Sequence, residues 1–328
     1  GVENAAALTL AAINKADSKI DFSEYDRDGD GAVDLVFFIF AGNGANYVGN
    51  DERLYHPHRS IIYNPKTYSL VMKDGVYLYD YASSVELYGW TSAPSTVTID
   101  GVGTICHEFS HVLGLPDLYD TDYENSGGES NHPGDWSVMA GGSYNNIGRT
   151  PVGYSLFERL AVGFIDDIPK IEAEGNYTLA PLPSSLTGYR IDTPEELESF
   201  LLENRQQSAF KWDAYLPGSG MLVYRLDMSN RSVWENNSIN NDPSHNYYEL
   251  LRADGAKTYD DASDAFPGTA NVTELNNSTE PASLNTWTGK PVQWGLTDIT
   301  MTDGIISFKV EDAYVLKSLT LPATASVV

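Results

Sequence analysis

Cys106-His107-Glu108-Phe109-Ser110-His111-Val112-Leu113-Gly114-Leu115-Pro116-Asp117 is the stretch on which the reading of this chain turns. Apolar residues at Val102, Ile105, Phe109 and Val112, spaced by three or four, predict a helix from Thr98 to Leu113 with one buried face, and Gly114 supplies a left-handed stop. On such a helix His107 and His111 lie one turn apart, about 40° around the axis, so both imidazoles face one point. Glu108 adjoins the first imidazole and is placed to act as a general base on a water at that point. A catalytic zinc ion needs three protein ligands and one open position. Asp117, six residues past His111, is the expected third ligand, and Glu158, on a later helix, is its rival. With six histidines in the chain, chance alone gives the His-Glu-x-x-His pattern in roughly 1% of such sequences.

Two flanking segments extend this site. Asp135-Trp136-Ser137-Val138-Met139-Ala140 has the composition of a tight turn whose methionine would support a metal without binding it, as in metzincins. The metzincin pattern also carries Gly three residues after the second His, matched by Gly114, and a His where Asp117 stands here. Upstream, Asp26-Arg27-Asp28-Gly29-Asp30-Gly31-Ala32-Val33-Asp34 places carboxylates at positions 1, 3, 5 and 9 of an EF-hand-type loop, with Gly31 at position 6 and the Ala32 carbonyl at position 7. Phe37 stands where the closing Glu would be, so the segment predicts a structural calcium loop without a second helix. Four acids this close repel one another, and a bound ion offsets that repulsion. Loops of this kind fill at millimolar calcium, which points to the extracellular space.

Around these motifs the patterning predicts an α+β chain. Residues 3 to 17 read as an amphipathic helix, Val33 to Ala41 as a buried central strand, 68 to 88 as a hairpin or edge strands about Lys73-Asp74-Gly75, and 151 to 164 as a helix opened by Pro151 and closed near Gly163. Beyond Pro169 come short strands at 177–180, 199–204, 221–227, 247–252 and 304–310. The expected organisation is a catalytic domain of mixed twisted sheet and active-site helix over 1–168, a β-sandwich over 169–312, and, over 313–328, a linker or the start of a further immunoglobulin-like module.

Composition excludes several classes. Forty-six acidic against 20 basic residues leave a net charge of −26, which repels nucleic acid and anionic lipid. Cys106 is the one cysteine, so no disulfide forms within the chain. No stretch of apolar residues is long enough to span a bilayer. Gly1 follows no charged-then-apolar leader, so a signal or pro-segment is expected to have been removed.

The segments HEFSHVLGLPDLYD, GDWSVMAGGSY, DRDGDGAVD leading to AGNG, FLLENRQ, LPGSGMLVYRLD and DAFPG together resemble the immune inhibitor A family of secreted bacterial metallopeptidases, over nearly the whole chain to about residue 312. The resemblance implies a metzincin-like catalytic domain with a β-sandwich behind it, secretion as a precursor silenced by its own N-terminal pro-segment, and structural calcium. It implies His107, His111 and Asp117 on zinc, Glu108 as base, and Asp26, Asp28, Asp30 and Asp34 near calcium. The family's opening strand is expected to precede Gly1.

The function expected is that of a zinc endopeptidase acting as a monomer on protein or peptide. Tyr144 and His132 are candidates for holding the oxyanion, while His56, His58 and His245 read as loop residues. Two other readings stand beside it: a zinc amidase or deacetylase, and a non-catalytic adhesin or glycan-binding protein with a structural metal. Glu108 opposes the last, because a structural zinc needs no base.

Overall fold

The computed structural model describes residues 2–47, 54–89, 97–123, 125, 127–128, 130–256 and 260–314. The chain divides into two compact units, Gly1–Leu115 with Ile147–Arg149, and Pro116–Asn146 with Thr150–Val328. Most of the anticipated further module or linker at 313–328 lies outside the described residues.

In the first unit, helix α1 (Val2–Ala16) buries Ala6, Thr9 and Ile13. The following strands are β1 (Val36–Asn43), β2 (Arg59–Ile61), β3 (Val71–Lys73), β4 (Val76–Leu78), β5 (Asp80–Tyr88) and β6 (Thr98–Ile99). β3 and β4 form the anticipated hairpin, turning through Asp74 and Gly75, both at positive φ as an Asp-Gly hairpin turn requires. β5 pairs in parallel with β1 and antiparallel with β2 and β6, so the sheet is mixed. A cluster including Ile13, Phe22, Val33, Ile62, Leu78 and Tyr81 forms the core of this unit.

The strand expected at the centre of the sheet is not there. Among the described residues β1 pairs with β5 alone, its side chains are at most half-buried, and Ile39 is 63% exposed. The central strand is β5, whose mixed sequence Asp-Tyr-Ala-Ser-Ser-Val-Glu-Leu-Tyr read as part of a hairpin or as an edge strand. An apolar run shows that a strand can be covered on both faces, but strand order is set by pairing partners distant in sequence.

Helix α2 (Gly103–Val112) starts later than expected. Thr98 and Ile99 are paired with β5, and Gly101 lies so close to the Gly148 carbonyl that a Cβ would stand 2.1 Å from its oxygen. The Gly103 N–H donates to the same carbonyl, at 2.8 Å. Gly114 takes φ +97, the left-handed stop read from the sequence.

The second unit holds α3 (Leu156–Ala161), β7 (Gly175–Leu179), α4 (Leu182–Ser185), β8 (Tyr189–Asp192), β9 (Glu198–Arg205), β10 (Gly220–Asp227), α5 (Arg231–Glu235), β11 (Tyr248–Leu250), β12 (Trp294–Thr302) and β13 (Ile305–Asp312). An antiparallel sheet of order β11-β10-β9-β8 and another of order β12-β13-β7 share one buried cluster, to which Phe200, Leu202 and Val223 come from the first and Leu296, Ile306 and Phe308 from the second. The five strands read beyond Pro169 correspond to β7, β9, β10, β11 and β13, whereas β8 and β12 went unread because Arg, Asp, Gly and Thr interrupt their apolar alternation. α3 is shorter than the expected 151–164: Pro151 precedes it, and Ser155 caps it through a reciprocal capping box with Glu158.

Candidate metal centre

α2 packs against β5 with an unexpected face. Thr104, Glu108 and Ser110 are buried, while Val102, Phe109 and Leu113, which periodicity placed in part on the buried stripe, are exposed. The buried Ser110 hydroxyl donates to the Cys106 carbonyl at 2.6 Å. Cys106 is half-buried, and desolvation raises its thiol pKa, so it stays a neutral packing group.

This rotation of the helix sets the chemistry. His107 and His111 meet edge to face, with ring centroids 4.8 Å apart. The His111 Nδ1–H donates to the Leu115 carbonyl at 2.7 Å, which fixes the tautomer with the lone pair on Nε2, the form a metal needs. After the turn at Gly114 the chain brings Asp117 back, and ligand atoms of His107, His111 and Asp117 all lie within 4.8 Å of one another. Asp117 and Glu108 are each only 7% exposed. Two imidazoles and a buried carboxylate thus form a group that could hold a metal ion, with the buried carboxylate of Glu108 on the same helix as the imidazoles.

Glu158, the rival ligand, is used otherwise. It is fully buried, one carboxylate oxygen accepts the Ser137 hydroxyl at 2.5 Å, and the other accepts the Ser155 N–H at 2.6 Å. Its carboxylate closes the cap of α3 and holds the turn that carries Met139. Ser137 also accepts the Met139 N–H, at 3.0 Å, and the Met139 carbonyl accepts the N–H of Leu118, the neighbour of Asp117, at 2.9 Å. Met139, fully buried, thus braces the segment that carries Asp117 through its backbone.

The acidic loop is only partly as read. Asp26, Asp28 and Asp34 gather carboxylate oxygens within 4.8 Å, but Asp30 stands outside that group, and its Oδ1 accepts the Ala32 N–H at 2.8 Å. Gly29 and Gly31, at φ +77 and +88, let the loop curl so that Asp26 accepts from both of their amides. The Ala32 carbonyl is a backbone atom, and its residue bridges to Tyr77.

The two oxyanion candidates divide. Tyr144 is 46% exposed. The His132 Nδ1 accepts the Gly134 N–H at 3.0 Å, and burial lowers the imidazole pKa to about 4, which keeps it neutral. The remaining histidines have local partners: the His56 Nδ1–H donates to the Pro57 carbonyl, His58 bonds the Tyr81 hydroxyl, and His245 pairs with Asp227 and stacks on Trp287. One residue went wholly unread. Asn237 lies in the polar run Asn236-Asn237-Ser238-Ile239-Asn240-Asn241, and its amide grips both the backbone and the carboxylate of Asp117.

Residues 3–159 match the immune inhibitor A peptidase M6 catalytic domain. Immune inhibitor A of Bacillus thuringiensis subsp. alesti is 32% identical over 158 residues, which are 42% of this chain and 22% of that protein. The pre-pro-metalloprotease PrtV of Vibrio cholerae serotype O1 is 28% identical over 178 residues, 48% of this chain and 18% of that protein. The match thus spans about a fifth of the length of these relatives. No solved structure matches the chain significantly.

Proposed function

We propose that this chain is a zinc-dependent endopeptidase in which His107, His111 and Asp117 hold the metal and Glu108 is the general base. The carrying observation is the convergence of those three ligand atoms within 4.8 Å on the segment that also buries Glu108. The donor set fits zinc: nitrogen and carboxylate ligands suit the ion, three of them leave a position open, and the His111 tautomer is already fixed. When bound, zinc supplies Lewis acidity that polarises the scissile carbonyl and acidifies a water. Glu108 would take a proton from the attacking water as its oxygen adds to the peptide carbon, and would give it to the nitrogen as the C–N bond breaks. Glu158, locked in the α3 cap, has no part in the ligand set.

Cleavage of an unfolded protein tests the reading. It should stop with a zinc chelator, return on adding zinc, and fall by about 10²–10⁴-fold in kcat/KM for Glu108→Gln with zinc still bound. Cleavage surviving either treatment refutes it.

The finer assignments follow the same reading. The catalytic part is metzincin-like, with Met139 as its supporting turn, and the two sheets over 169–312 form a β-sandwich. Asp26, Asp28 and Asp34, with the Ala32 carbonyl, hold a structural calcium ion. The protein acts outside the cell as a monomer. It is made as a precursor, a reading supported by PrtV being a pre-pro-metalloprotease, and its own N-terminal pro-segment silences it. Among the described residues no helix is long and apolar enough to cross a membrane.

A further inference from the structure

The run 236–241 follows α5 and reaches back about 120 residues in sequence to the segment bearing Asp117. Three of its asparagines act on that segment. Asn237 Oδ1 accepts the Asp117 N–H at 2.7 Å, and Asn237 Nδ2 donates to Asp117 Oδ2 at 2.6 Å. The Thr121 hydroxyl donates to the Asn237 carbonyl, and Asn241 Oδ1 accepts the Thr121 N–H at 3.1 Å. Asn240, fully buried, donates to the Leu118 carbonyl and the Tyr248 carbonyl, both at 2.8 Å, and accepts the Tyr248 N–H at 3.1 Å. The run is therefore fastened to β11 while it grips residues 117–121. Asn237 sits at φ +55, a left-handed conformation that asparagine adopts more readily than most residues.

An amide carries a donor and an acceptor side by side, so one Asn can fix a residue's backbone and its side-chain rotamer together. Few other side chains do both. Asp117 is on a loop, where its carboxylate would otherwise sample several rotamers, and a metal ligand loses affinity when its orientation must be set at the moment of binding. We propose that Asn237 is the positioning residue of the metal centre: it presents the Asp117 carboxylate in one orientation, and Asn240 and Asn241 anchor it. This rests on the proposed role of Asp117 as a zinc ligand.

The test uses the whole chain, with zinc affinity measured by chelator competition and cobalt(II) absorption recorded at saturating metal. Asn237→Asp is isosteric and keeps the acceptor for the Asp117 N–H but replaces the donor to Oδ2 with a second carboxylate. Asn237→Gly tolerates the same φ and removes both bonds. Both should bind zinc about 10- to 100-fold more weakly than the parent and shift the cobalt bands, while the metal-free proteins keep the parental circular dichroism. Parental zinc affinity in both variants overturns the proposal. So does a lowered unfolding midpoint with an unaltered cobalt spectrum, which would make Asn237 merely structural. If the parent chain binds no zinc, the ligand reading itself fails, an outcome distinct from a parent that binds and variants that match it.

Discussion

Burial has opposite consequences for the two acids that compete, in the sequence, for the same ligand role. Asp117 meets two imidazoles, whereas Glu158 is enclosed by the Ser137 hydroxyl and the Ser155 amide. Glu158→Gln should therefore destabilise the fold by about 1–3 kcal/mol in urea unfolding, since the Ser155 N–H loses its charged partner, and leave zinc stoichiometry unchanged. Asp117→Ala should do the reverse, with zinc retention lost and unfolding little changed. His132 offers a pH test. Its imidazole titrates near 4 in the fold because burial disfavours the cation, against an ordinary value of about 6.5 in the unfolded chain. Between those values the unfolded state binds more protons, so this residue's contribution is complete above about pH 6.5 and is lost as pH falls toward 4. His132→Asn keeps an acceptor for the Gly134 amide but does not titrate. The stability difference, parent minus variant, should rise with pH across that window, and a flat difference would show that the imidazole is not desolvated.

At the level of elements, β9 shows what a polar strand does in an interior. Glu203, Asn204 and Arg205, which close the strand, are all buried. Arg205 bonds Asp213 at 2.7 Å and Glu203 at 3.2 Å and donates to the Gly153 carbonyl, while Glu203 accepts the first helical N–H of α3 at 2.5 Å. Arg205→Ala would strand two buried carboxylates and should cost about 3–5 kcal/mol in chemical unfolding. Arg205→Lys should recover little of it, because an ammonium cannot reproduce the guanidinium fork. Strand and helix positions were largely legible from local pattern: α1, the β3–β4 hairpin, β9 and β10 fall within a few residues of their expected places. What escaped was relational. The order that puts β5 rather than β1 at the sheet centre, and the rotation that buries Glu108 and exposes Phe109, depend on which surface each element meets.

At the scale of the whole molecule, a net charge of −26 means that the folded state works against its own repulsion. The proposed calcium ion among Asp26, Asp28 and Asp34 relieves part of it where the chain enters β1. Calcium should raise the thermal unfolding midpoint through ligation of the native state, a calcium-selective chelator should lower it, and Asp26→Asn should abolish the response. A midpoint indifferent to calcium in the parent chain would leave the loop as a set of backbone-capping turns, a role its hydrogen bonds already fill.

The two imidazoles one turn apart, the glutamate between them and the stop at Gly114 were settled by sequence, because helical periodicity and the conformational freedom of glycine act over a few residues and need no distant partner. Which of the two acids comes to lie beside the imidazoles, and which side chain bonds it, was decided only by tertiary structure. Asp117 is six residues from His111, but the asparagine bonded to it is 120 residues away. Nothing in local chemistry could choose that amide from the other polar side chains of its loop, since its role exists only once folding has brought the two segments within hydrogen-bonding distance.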